Sequence, residues 1–149
     1  MSEKVIVIAE AGVNHNGDLS RAMELIDVAV IAEVDYVKFQ TFRADKIVSK
    51  SAKKAEYQKI NTKSTEYSQY SMLKQLELSN EDHERLKEYS NEKGIKFFST
   101  AFDTDGLDYL NSLGFDMFKI PSGEITNYPY LKKLSTFQKP VILSTGMSN

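Results

Sequence analysis

Short apolar runs of strand length alternate with amphipathic stretches of helix length along the chain, the pattern of an α/β fold. Val5-Ile6-Val7-Ile8-Ala9 is unbroken and largely β-branched, which predicts a parallel strand buried on both faces. A Gly/Asn loop, Gly12 to Gly17, follows it. Leu19, Ala22, Met23, Ile26, Ala29 and Val30 then recur at helical spacing, with Asp18 or Ser20 as the cap. Tyr36-Val37-Lys38-Phe39 predicts a second strand, and the polar stretch from Thr41 to about Tyr70 reads as a long loop without structure of its own. Ser79-Asn80-Glu81-Asp82 is a capping-box signature for a helix with Leu86 and Tyr89 inward and Gly94 just past its end. Ile95 to Ser99 predicts strand three. Asp103 or Thr104 caps a short helix carrying Leu107, Leu110 and Leu113, which Gly114 ends. Met117 to Ile120 predicts strand four, Asn127 with Pro129 opens a helix bearing Leu131 and Leu134, and Pro140 to Ser144 predicts strand five.

Five strands and four crossovers fit either an open doubly wound sheet or the first five units of an eight-stranded barrel, which needs ~250 residues. The chain stops a few residues after the fifth strand without a further helix pattern. The expectation is therefore that residues 1–149 are the N-terminal portion of a (β/α)8 TIM barrel. Val5, Val37, Phe97, Phe118 and Ile142 should then lie on neighbouring parallel strands of one curved sheet.

Composition narrows the chemistry. Nineteen Lys and Arg against 21 Asp and Glu give a net charge of -2, so no global positive field exists to gather a nucleic acid. Cysteine is absent, which removes disulfides, thiolate metal sites and a cysteine nucleophile. Two histidines, His15 and His83, do not complete a histidine metal site. No apolar run approaches a membrane span and no signal-peptide core is present, so the expected location is the cytoplasm.

The chemical signal lies where the strands end. Strand one ends in Glu10, strand two carries Lys38 and Gln40, and strand three ends in Ser99-Thr100. Strand four carries Lys119 with Ser122 and Glu124 beyond it, and strand five ends in Ser144-Thr145. Parallel α/β folds gather these ends on one rim, where ligands bind. Burying Lys or Glu without a partner costs several kcal/mol, so the placements call for a function or for an ion pair, such as Lys38 with Glu10. Two amines with neighbouring hydroxyls describe a clamp for phosphate or carboxylate. Between Phe42 and Ser64, seven basic residues (Arg43, Lys46, Lys50, Lys53, Lys54, Lys59, Lys63) face only Asp45 and Glu56, a local charge of +5. That stretch reads as a basic lid over an anion site or as a solvated surface loop. His15, among amides, suits a loop hydrogen bond better than a metal; His83 sits on the surface pattern of its helix, structural or solvated.

Ala9-Glu10-Ala11-Gly12-Val13-Asn14-His15-Asn16-Gly17, Val37-Lys38-Phe39-Gln40-Thr41, Phe98-Ser99-Thr100-Ala101-Phe102-Asp103, Phe118-Lys119-Ile120-Pro121-Ser122-Gly123-Glu124 and Leu143-Ser144-Thr145-Gly146-Met147 closely resemble the sialic acid synthases. The resemblance implies a TIM-barrel enzyme that joins phosphoenolpyruvate to an N-acetylhexosamine, typically N-acetylmannosamine, giving a nonulosonic acid and phosphate. It implies a homodimer with a small C-terminal antifreeze-like domain, and a divalent metal, Mn2+ or Mg2+, whose ligands come from later strands and not from this chain. By motif, Lys38, Thr100, Lys119, Ser122 and Ser144 hold phosphoenolpyruvate. Gln40, Phe102, Glu124 and, on a looser match, Asn61 contact the sugar. Glu10 sits by the reacting carbonyl, and Glu10 or Glu124 moves protons. Two departures stand out: Glu33, where the family commonly has Gly, and Ala101, where Pro is common.

Two other readings stay open. Lys119 or Lys38 could form a Schiff base with pyruvate, as in an aldolase. Alternatively, the isolated chain is a phospho-ligand-binding fragment without activity, its open strand edges prone to associate.

Overall fold

The structure, a computed structural model, describes residues 5–49, 68–146 and 148. The strands are β1 Ile8–Gly12, β2 Tyr36–Thr41, β3 Lys96–Ala101, β4 Phe118–Ile120 and β5 Val141–Leu143. The α-helices are α1 Leu19–Ile31, α2 Ala44–Ile47, α3 Gln69–Leu76, α4 Asn80–Glu92, α5 Thr104–Ser112 and α6 Tyr128–Ser135, with a 3-10 turn at Ser122–Glu124. Every strand pair is parallel. The strands form a three-stranded sheet, β1-β2-β3, and a two-stranded sheet, β4-β5, in place of the single five-stranded sheet expected.

The first strand starts three residues later than its apolar run. Val7 O accepts from the N–H groups of Asp35 and Tyr36, and the ladder proper opens at Ile8 opposite Tyr36. Val5 to Val7 have no register partner in β2, and Val5 is 77% exposed. Burial on both faces also fails for β5, where all three residues are exposed. In β2 burial alternates, with Val37, Phe39 and Thr41 buried and Tyr36, Lys38 and Gln40 only partly covered. Helices cover one face of these strands; the other face carries the polar rim residues.

The covered face is the core. Ala22, Ile26 and Ala29 of α1, Leu86 of α4 and Leu107 and Leu110 of α5 bury with Val37, Phe39 and Phe97 in one core. Phe39 stacks on Phe97 with ring centroids 5.5 Å apart, and Phe97 meets Phe115 edge-on at 5.8 Å. Tyr130 of α6 is fully buried, and its hydroxyl donates to Ala101 O at 3.0 Å, tying α6 to the end of β3.

Helix starts follow the sequence signals. Asp18 accepts from the Ser20 and Arg21 amides, Ser79 and Asp82 form the reciprocal capping box, Asp103 accepts from Gly106 N, and Asn127 accepts from Tyr130 N. The stretch after β2 departs from a plain loop: α2 lies in it and α3, capped by Ser68, begins at its end. The capping serine and the Tyr70, Met72, Leu73, Leu76 spacing carry that helix, and the surrounding polar residues hide it. The basic core of the stretch, residues 50–67, lies outside the described residues, and the lid expectation with it.

Glu33 sits just past α1 with φ 53°, a left-handed conformation that costs an L-residue with a Cβ roughly 1–2 kcal/mol. We expect Glu33→Gly to stabilise the protein by about 1 kcal/mol, a melting-temperature rise of about 2–4 °C for a domain of this size. A differential scanning experiment that finds no rise or a fall would show that the strain is relieved elsewhere.

Candidate active site

Parallel strands put successive Cβ atoms on alternate faces, so Glu10, Lys38 and Thr100 come to one side of β1, β2 and β3. Glu10 is in register with Lys38, and Gln40 with Thr100. Lys38 Nζ lies 2.5 Å from Glu10 Oε2 and donates to Thr100 Oγ1 at 3.3 Å. The Lys38–Glu10 pair is the one anticipated from the sequence, yet it does not exhaust the amine, which also reaches across to β3.

Lys119 on β4 completes the arrangement. Its Nζ donates to Ser144 Oγ at 2.6 Å and to Ile120 O at 3.3 Å. Partial burial, then the neighbouring charge of Lys38, hold the Lys119 ammonium below the usual lysine range, with Glu10 opposing the shift. The two amines therefore share one electrostatic environment. An anion between them relieves their repulsion.

A cavity of about 390 Å³ opens here, lined by Glu10, Lys38, Gln40, Thr100, Phe102, Lys119, Ser122 and Ser144 together with Gly12, Val13, Asn14 and Pro121. Eight residues singled out from the sequence thus meet in one place. Glu124 does not join them: it ends the 3-10 turn and its Oε2 accepts from Asn127 Nδ2 at 2.5 Å, at the start of α6. Asn61 lies outside the described residues. Gly146, at φ 56°, sits so close that a Cβ would come within 2.9 Å of Ser122 Cβ, so the loop after β5 presses on Ser122.

Asn14 lines the cavity without having been assigned a role. The loop that carries it is a run of turns: Asn14 N donates to Ala11 O, Asn16 N to Val13 O, and Asp18 N to His15 O. His15 is fully buried and its Nδ1 accepts from Gly17 N at 2.9 Å, the loop hydrogen bond expected of it. His83 is buried too, which removes the solvated alternative; His83, Leu86 and Ser90 form the inward stripe of α4. The spacing 83, 86, 90 was the available signal.

Burial is the main force lowering the pKa of both imidazoles. Below about pH 6.5 the unfolded chain takes up protons that the folded protein refuses. Stability is thus full above that pH and lost as pH falls toward the folded-state values. We expect the unfolding free energy from urea titrations to drop between pH 7 and 5, by up to about 1.4 kcal/mol per pH unit for each histidine, and His83→Gln to flatten the slope. A slope unchanged in His83→Gln would assign the acid loss to other groups.

Among the described residues no three His, Cys, Asp or Glu side chains gather into a group able to hold a metal ion. Glu10, the acid in the cavity, is engaged by Lys38. These residues do not by themselves fit a Mn2+ or Mg2+ site. No helix among them is long and apolar enough to cross a membrane.

Residues 25–149 match the NeuB family. The chain is 56% identical to the N,N'-diacetyllegionaminic acid synthase of Legionella pneumophila over 95% of its own length and 39% of that protein's. It is 50% identical to the Campylobacter jejuni enzyme of the same name, over 99% of this chain and 44% of that protein. Its fold superposes on the N-acetylneuraminic acid synthetase of Leptospira borgpetersenii with a TM-score of 0.81 at 32% identity, covering 99% of this chain and 46% of that one. The chain belongs to the NeuB family of sialic acid synthases. It spans less than half the length of these relatives.

Proposed function

We propose that the protein condenses phosphoenolpyruvate with the open-chain form of an N-acetylated hexosamine, releasing phosphate and a nonulosonic acid. The observation that carries this reading is the facing of Lys38 and Lys119 across one cavity, each with a hydroxyl beside its amine. Lys38, Thr100, Lys119, Ser122 and Ser144 hold the phosphate and carboxylate, since ammonium groups supply charge and hydroxyls direction. Gln40 and Phe102 face the sugar, with Asn61 as a further contact; Glu124, turned to Asn127, is left out of the sugar site.

Carbon 3 of phosphoenolpyruvate attacks the aldehyde carbon, and the aldehyde oxygen takes up a proton. Carbon 2, left as an oxocarbenium, adds water and loses a proton. The bond between carbon 2 and the bridging oxygen then breaks, leaving a ketone and inorganic phosphate. Lys38 and Lys119 balance the charge on the departing phosphate, and Glu10, the carboxylate in the cavity, exchanges the protons. The metal that the family implies, the remaining barrel strands, a dimer and a cytoplasmic location belong to the same proposal.

Relatives at 56% and 50% identity are named for N,N'-diacetyllegionaminic acid, which supports a diacetamido sugar over N-acetylmannosamine as acceptor. The test offers the full-length protein both sugars with phosphoenolpyruvate. The reading expects one phosphate released per nonulosonic acid formed, faster with the diacetamido sugar. Preference for N-acetylmannosamine would overturn the acceptor, and phosphate release indifferent to either sugar would overturn the condensation.

A further inference from the structure

Directly behind the cavity, on the helix-facing side of the same strands, Thr41, His83 and Ser99 form a continuous hydrogen-bond chain. All three are buried, at 7%, 1% and 1% exposure. His83 Nδ1 lies 2.8 Å from Ser79 O, and a carbonyl only accepts, so this nitrogen carries the ring hydrogen. Nε2 of the ring lies 2.9 Å from Thr41 Oγ1, and the Gln40 backbone also hydrogen-bonds the ring. Thr41 Oγ1 and Ser99 Oγ share a hydrogen bond at 2.7 Å.

The chain joins three elements. Thr41 is the last residue of β2, Ser99 lies near the end of β3, and His83 belongs to α4. Each strand residue of the chain adjoins a cavity residue, Thr41 following Gln40 and Ser99 preceding Thr100, and Gln40 pairs in register with Thr100. Filling this space with apolar groups would avoid desolvating three polar side chains. A fully satisfied polar network fixes relative position more sharply than apolar contact does.

We propose that Thr41 is a positioning residue: clamped between His83 and Ser99, it locks the ends of β2 and β3 so that Lys38, Gln40 and Thr100 keep the spacing the anion requires. This rests on the reading of the cavity as a phosphoenolpyruvate site. Thr41→Val keeps the shape and removes the hydroxyl that links Ser99 to His83. Thr41→Ser keeps the hydroxyl.

The experiment measures the phosphoenolpyruvate Kd by calorimetry in the full-length protein, well below every melting temperature. Thr41→Val should bind about tenfold more weakly, and Thr41→Ser within about twofold of wild type. Leu110→Val, a core truncation on α5, should lower the melting temperature while leaving Kd unchanged, separating position from stability. If Thr41→Val does not fold, Ser99→Ala carries the same expectation. A wild type that binds phosphoenolpyruvate beside a Thr41→Val that binds equally well overturns this inference alone, as does a Thr41→Ser as weak as Thr41→Val or a Leu110→Val that loses affinity in step with stability. A wild type that fails to bind phosphoenolpyruvate overturns the cavity reading as well.

Discussion

Lys119→Met should weaken phosphoenolpyruvate binding on the order of 100-fold while the protein stays folded. The amine's partners are Ser144 Oγ and Ile120 O on the rim, not core groups, so methionine removes charge without opening a void. A hydrogen bond to a charged group contributes ~1.5–3 kcal/mol, and the ligand here carries several negative charges between two amines, which places the loss at the upper end. The pH dependence has a definite sign. Burial and Lys38 hold the Lys119 ammonium below the usual lysine range, so wild-type affinity should fall as pH rises through a value under 10.5. Calorimetric titration from pH 7 to 10 reads both effects. A Kd unchanged by the substitution would remove Lys119 from the anion site.

Gly17→Ala should cost about 3–4 kcal/mol, lowering the melting temperature by roughly 10 °C. Gly17 closes the first loop of the site at φ 77°, and a Cβ there would stand 2.1 Å from Gln75 O at the end of α3. The left-handed conformation costs ~1–2 kcal/mol for alanine, and forcing α3 away adds an overpacking cost of ~1–3 kcal/mol. Because Gly17 N also donates to His15 Nδ1, displacement of the loop should disturb Asn14 and Val13 in the cavity wall. A scan that finds Gly17→Ala as stable as wild type would show that α3 yields easily.

The helix caps and rim residues were legible because each is a local or parity signal: Asp18, Ser79, Asp103 and Asn127 cap where their types prescribe, and Glu10, Lys38, Thr100 and Lys119 interrupt apolar runs at strand ends. Strand ends were less so. Val5 to Val7 carry strand propensity, but pairing, set by where β2 begins, decides the ladder. The α3 helix was hidden because its apolar positions lie within a polar stretch, and the two-sheet division reflects pairing between strands, which no single run encodes. The Thr41–His83–Ser99 chain was out of reach for a similar reason. Its members are far apart in sequence, and only the register of β2 on β3 brings Thr41 and Ser99 onto one face beside α4.

The central claim, condensation with cleavage at carbon 2, is tested most directly by phosphoenolpyruvate carrying 18O in its bridging oxygen. The full-length protein, given the diacetamido sugar, should transfer that label to the released phosphate and leave the carbon-2 oxygen of the nonulosonic acid unlabelled. Label retained at carbon 2, or a lysine adduct trapped by borohydride, would mean that an enol or enamine of pyruvate is the nucleophile, and would contradict the account.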